Sequence, residues 1–324
     1  MNDLYSIGEM VIDFIPGAPH QGDVSYIRKA GGAPANVAIA VSKNGLSASM
    51  CCKVGDDDFG RFLTETLEEF HVRAACPEPC SEAITTMAFV TLDKDGDRKF
   101  TFARKPGADM FLSEADVSES DIRDSVIIHA GSCSLSAEPE AAATVKALRL
   151  GSDLDKLVSF DVNYRDLMWN KDMDACAEAV RGILPCVDLL KVSDAEVGML
   201  GGEGALPALM ERYGITIIVE TLGASGAQAF FNGGIIRVPG LKVHAVDATG
   251  CGDAFWGAFL SKLRFCGVVK ADSITEDIIR SALEYGNVSG CICVQSKGAI
   301  ASIPTRNQIE DYMKNLQTEG NGVA

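Results

Sequence analysis

Apolar residues run along this chain in two alternating rhythms. Between residues 57 and 70 they fall at Phe59, Phe62, Leu63, Leu67 and Phe70, the spacing of one helix face, with Asp57 or Asp58 placed to cap its start. Residues 126–130 are a short apolar run that reads as a buried strand, and residues 138–149 read as the helix after it. The alternation continues with a strand at 157–161, a helix at 172–184 and a strand at 187–192, then a helix at 206–213 and a strand at 215–220. Strand–helix–strand units of this length predict an α/β fold: a doubly wound, mostly parallel sheet with helices on both faces.

Two stretches break the rhythm. Residues 10–28 hold an apolar run followed by Pro16, Gly17, Pro19 and Gly22; residues 86–104 read as a hairpin turning at Asp95-Gly96. A hairpin does not belong in a doubly wound sheet. The expected division is therefore a main domain of residues 1–9, 29–85 and 105–324, with 10–28 and 86–104 forming a small β-sheet lid. The polar tail after Lys314 reads as frayed.

Composition narrows the function classes. Among 324 residues, 29 Lys and Arg against 45 Asp and Glu leave a net charge of −16, which argues against nucleic acid or an anionic membrane as the main partner. A local phosphate cradle remains compatible with that charge. No apolar run approaches the roughly 18–20 residues of a membrane span, and the first residues lack the pattern of a signal peptide. The 11 cysteines are odd in number and lie in apolar segments, which suits free thiols in a reducing cytoplasm. Cys76 and Cys80 with His71 lack a fourth ligand for zinc.

The chemistry concentrates in two glycine-rich elements. Residues 246–258 follow a β-like segment and run into an apolar helix, with Gly250, Cys251 and Gly252 at the junction. Small residues there let main-chain N–H groups converge at a helix start, where the helix dipole also favours an anion. Asp253, in the first turn, is placed to take a proton from a hydroxyl attacking a bound phosphate. The third glycine of a dinucleotide fingerprint is missing, since Phe255 stands there, and no P-loop motif occurs. The second element is Gly31-Gly32-Ala33-Pro34-Ala35-Asn36: the glycines allow close approach to a ligand, and Asn36, expected to begin a helix, offers a donor and an acceptor to sugar hydroxyls.

Together, in this order and with this α/β pattern between them, the two elements resemble the signatures of the PfkB (ribokinase-like) carbohydrate kinases. Within that family the likeness is closest to fructokinases, through residues 7–14, the Phe102-Ala103-Arg104-Lys105-Pro106-Gly107-Ala108-Asp109-Met110 stretch, residues 131–135, residues 160–165 and residues 191–196. Val162, Asp166 and Cys251 depart from the family's usual residues. The resemblance implies ATP-dependent phosphorylation of a terminal hydroxymethyl, with D-fructose becoming fructose 6-phosphate. Other readings are a different acceptor (2-keto-3-deoxygluconate, ribose or a nucleoside) or an inactive sugar- or nucleotide-binding regulator.

Carried onto this sequence, the resemblance makes Asp253 the catalytic base and the amides of Gly250, Cys251 and Gly252 the anion hole. Asp13, Gly31, Gly32, Asn36, Asn163 and Arg165 would meet the sugar, and Arg104 would reach in from the lid. Lys191, Ser193, Thr221, Gly223, Gly226, Asn287 and Gly298 would serve ATP. Glu196 would organise Mg²⁺ through water, and Asp247 and Thr249 would lie near K⁺. A homodimer through the exposed lid face is also expected.

Overall fold

The structure, a computed structural model, describes residues 2–18, 23–76, 78–92 and 98–321. Its strands are β1 Asn2–Ile7, β2 Val11–Pro16, β3 Tyr26–Gly31, β4 Ala48–Cys51, β5 Val72–Ala74, β6 Met87–Leu92, β7 Arg98–Ala103, β8 Ser125–Gly131, β9 Leu157–Asp161, β10 Leu189–Ser193, β11 Ile217–Thr221, β12 Gly226–Phe231 and β13 Gly234–Pro239. Its helices are α1 Ala33–Lys43, α2 Asp58–Glu69, α3 Glu119–Arg123, α4 Glu140–Asp153, α5 Met173–Ile183, α6 Leu206–Tyr213, α7 Cys251–Phe265, α8 Glu276–Cys293, α9 Ala299–Ser302 and α10 Arg306–Asn321.

Nine strands form one sheet in the order β13-β12-β11-β10-β9-β8-β1-β4-β5, parallel except that β12 runs against both β11 and β13. The period-two burial of the strands sorts their side chains into two cores. Leu189, Ile217 and Val219 point into the layer under α1, α7 and α8, while Leu190, Ile218 and Phe160 point into the layer under α4, α5 and α6. This is the doubly wound sandwich that the strand–helix alternation predicts. Asp57 caps α2, its carboxylate accepting from the Gly60 N–H at 2.7 Å.

The remaining four strands make a separate sheet, β3-β2-β6-β7. Its edge strand β3 carries no period-two signal, because its first three residues are all exposed, and it extends the sheet to Gly31, beyond the expected boundary at residue 28. The expected turn at Asp95-Gly96 lies outside the described residues. Helix α1 begins at Ala33, not at Asn36: Gly32 stands at its N-cap and Pro34 within its first turn, where the absent N–H is harmless. The tail after Lys314 is helical through Asn321, since Tyr312, Met313 and Leu316 pack against the core around Tyr285 and Ile309.

The β1–α1–β4 unit lies on one side of β1 and β8 on the other, so the winding reverses at β1. Open α/β sheets bind ligands at such a reversal, outside the carboxyl ends of the strands.

Candidate active site

A cavity of about 600 Å³ occupies that position. The segments leaving β1, β8, β9, β10 and β11 line it with Glu9, Cys133, Asn163, Arg165, Ser193, Glu196 and Thr221, and Lys191 joins them from β10. The small sheet adds Val11, Asp13 and Phe102. The two glycine elements complete the wall with Gly32, Ala33, Asn36, Ala248, Thr249, Gly250, Gly252 and Asp253.

Asp253 sits in the first turn of α7 and is only 5% exposed. Its two carboxylate oxygens are held separately: Asn36 Nδ2 donates to Oδ2 at 2.7 Å and Asn163 Nδ2 donates to Oδ1 at 3.0 Å. Burial pushes this carboxyl above its ordinary pKa, against the bond from Asn36. Asn163 is held at φ 37°, in the left-handed region that side chains other than glycine seldom enter, a form of strain that gathers at functional sites.

Gly250 precedes α7 at φ 77° and Ala254 N–H bonds back to its carbonyl at 2.8 Å. A Cβ at Gly250 would stand 2.7 Å from the Cβ of Ala299, so the turn is closed against α9 by the lack of a side chain. The Cys251 N–H bonds to the Ala248 carbonyl at 3.2 Å. The N–H groups of Gly250 and Gly252 have no main-chain partner among the described residues, and both glycines face the cavity.

Lys191 is 4% exposed and paired with Asp161 at 2.9 Å. Burial opposes its charge, but Asp161 and Glu196 outweigh that and raise its pKa. A Cβ at Gly252 would stand 3.4 Å from Lys191 Nζ, which puts this ammonium beside the glycine turn. Glu196 braces two strand ends: Oε1 accepts from Tyr164 N–H at 2.7 Å and Oε2 from Ser193 N–H at 2.8 Å. Asp247 ties its loop together, accepting from Thr249 N–H at 3.0 Å and from Gly298 N–H at 3.1 Å.

Asp13 and Arg165 face this cavity from opposite domains. Burial pushes Asp13 up to about 6, while Arg165 pulls the other way. Gly31 packs against the Asp13 carboxylate, leaving no space for a Cβ.

Several expected site residues do not line this cavity. Arg104 does not reach the cavity: it is closed onto Asp109 at 2.6 Å and Glu140 at 2.8 Å. Asn287 bonds the Val238 and Pro239 carbonyls at 3.2 and 3.3 Å, and Gly223, Gly226 and Gly298 lie outside the wall. The sequence reading missed Glu9, 4% exposed, whose Oε1 accepts from the Ala33 N–H at 3.2 Å. It also missed Asp161. A carboxylate directly after a buried strand, or ending one, was the available signal. His129 is the packed core residue expected, bonded to Ser159 at 3.0 Å and pushed down to about 3 by burial.

A buried carboxylate beside an anion-ready helix start, an ammonium next to it and a second carboxylate on a facing sheet are the parts of a small-molecule phosphotransferase. The chain matches the pfkB family carbohydrate kinase model over residues 1–306 and belongs to that family. It is 39% identical to fructokinase-2 of Zea mays over 96% of this chain and 94% of that protein. It is 37% identical to probable fructokinase-5 of Arabidopsis thaliana, over 96% and 97%. Among solved structures, fructokinase with bound ATP from Xylella fastidiosa superposes with a TM-score of 0.87 at 26% identity, covering 97% of this chain and 99% of that one. A fructokinase double mutant from Vibrio cholerae, in fructose-, ADP- and potassium-bound form, gives 0.85 at 29%, over 96% and 98%.

Proposed function

We propose that this carbohydrate kinase transfers the γ-phosphoryl group of ATP to the terminal hydroxymethyl of D-fructose, giving fructose 6-phosphate and ADP. The placement of Asp253 carries the reading. Its carboxylate is buried, oriented by two asparagine amides, and set between the glycine turn and the sheet that bears Asp13. The acceptor hydroxyl gives its proton to Asp253 as its oxygen attacks the γ-phosphorus, and the bond to the ADP oxygen breaks. The N–H groups of Gly250 and Gly252, with Lys191 close by, offset the charge developing on the transferred group. Asp13 and Arg165 hold the sugar, one as acceptor and one as a donor fork. Ser193 and Thr221, which line the cavity, would meet the nucleotide.

Mg²⁺ would arrive on the ATP phosphates, with Glu196, which lines the cavity, as the acidic group beside it. When bound, that ion supplies charge neutralisation at the phosphates. K⁺ would lie near Asp247 and Thr249; the Vibrio cholerae relative is a potassium-bound form.

The working form is a homodimer joined through the small sheet: Val24, Tyr26 and Ile27 are 78%, 39% and 48% exposed, on or beside its edge strand. A monomeric mass by light scattering at micromolar concentration contradicts this. The cytoplasm is the expected compartment, in keeping with eleven free thiols. The deciding experiment for the substrate is a sugar panel in an ADP-coupled assay: fructose turns over fastest, and inert fructose beside an active ribose, nucleoside or 2-keto-3-deoxygluconate defeats the specific reading.

A further inference from the structure

The stretch from Phe102 to Met110 singles out Arg104 and Asp109, yet neither lines the cavity. They lie where the small sheet joins the main domain. The chain enters that sheet through Thr86 into β6 and leaves it through Arg104 after β7. One carboxylate takes both crossings: Thr86 Oγ1 donates to Asp109 Oδ1, and Arg104 Nε donates to Asp109 Oδ2 at 2.6 Å. The same guanidinium donates to Glu140 Oε2 at 2.8 Å, in the first turn of α4, and to Ser136 Oγ at 3.1 Å. The side chains of Asp109 and Glu140 are fully buried and that of Arg104 is 7% exposed.

Such a buried charged network adds little stability over apolar packing of the same volume, so its value lies in fixing a geometry. The geometry it fixes is the angle of the small sheet, because both of the sheet's later crossings are bonded to one rigid point of the main domain. The sheet in turn contributes Val11, Asp13 and Phe102 to the cavity. Lys191, Ser193, Thr221 and the glycine turn all belong to the main domain.

We propose that Arg104 and Asp109 are positioning residues that hold the small sheet at its working angle and so set the affinity for the sugar without touching it. The inference rests on the sugar-kinase reading above. It separates the two substrates: loosening the anchor moves the groups that meet the sugar and leaves those that meet ATP in place.

The test is Thr86→Val, which deletes one hydroxyl from the anchor at nearly constant volume, alongside Arg104→Met. In steady-state assays with fructose and ATP, Thr86→Val raises the sugar KM by about 5–10-fold, the size of one buried hydrogen bond, while kcat and the ATP KM stay within about twofold. Arg104→Met shows the same split, larger. A merely structural role lowers the active fraction, and so kcat, with both KM values unchanged; that result overturns the proposal. A direct sugar contact through Arg104 leaves Thr86→Val like the wild type, which overturns it too. If Arg104→Met does not fold, Thr86→Val decides alone. A wild-type enzyme inert toward fructose but active on another sugar refutes the substrate reading only, and the same split is then measured with that sugar.

Discussion

Replacing Asp253 by asparagine removes the proposed base while keeping its shape, and the surroundings set what else it costs. Both carboxylate oxygens accept from an amide NH₂, that of Asn36 at 2.7 Å and that of Asn163 at 3.0 Å. An amide at position 253 offers one oxygen and one donor, so one neighbour must turn over. Asn36 is able to: its Oδ1 is buried without a partner, and a flip aims that oxygen at the new donor. The flip leaves the Asn36 NH₂ unpaired, a penalty of about 1–3 kcal/mol, which lowers Tm by only a few degrees in a chain of this size. Loss of the base is larger, at least about 10²–10³ in kcat, or about 2.7–4 kcal/mol of barrier. An ADP-coupled assay gives kcat, calorimetry gives ATP affinity, and scanning calorimetry gives Tm. ATP affinity is expected to stay within about threefold, because Asp253 does not anchor the nucleotide. A folded Asp253→Asn enzyme that keeps a tenth or more of wild-type kcat refutes the role of Asp253 and the reasoning built on it.

Burial pushes Asp13 up to about 6, and only its charged form accepts two hydroxyl hydrogen bonds; the sugar KM should therefore rise as pH falls through about 6, a step that Asp13→Asn abolishes. Burial also lifts Glu9 from 4.5 to about 7, so the folded state keeps this proton to higher pH than the unfolded chain. Its contribution to stability is full below 4.5 and lost as pH rises through about 7, and thermal melts of Glu9→Gln should lack that part of the decline. Gly250→Ala forces a Cβ to 2.7 Å from that of Ala299 at a left-handed φ, and kcat should fall more than about tenfold; near-normal turnover argues against a rigid glycine turn. Cys251→Ala should keep kcat within about twofold, since its thiol meets the Asp247 carbonyl at 3.7 Å and the Cys293 thiol, both away from the reacting groups, and its amide is used inside the turn.

Much of this was legible because it is written in periodicity. The helix at 206–213 is found at Leu206–Tyr213, and the apolar strands sit in the centre of the large sheet. Asp13, Asn36, Asn163, Arg165, Lys191 and Asp253, distant in sequence, do line one cavity. What escaped was direction and partnership. β3 is an edge strand with an exposed beginning, so no alternation marks it. Arg104 is near the cavity in sequence terms, but Asp109 and Glu140 claim its guanidinium, and no local pattern announces which way a long side chain turns. The Cys251 amide looks free until the turn closes on Ala248.

Helices α1 and α7 approach so closely that a Cβ on Gly257 would collide with Ala40. Asn36 and Asp253 ride on these two helices, one turn from their tips. The proposed proton acceptor and its orienting amide are thereby welded into a single block, indifferent to the attitude of the smaller sheet. Natural variation in that sheet can retune which alcohol is admitted while the chemistry underneath stays in register.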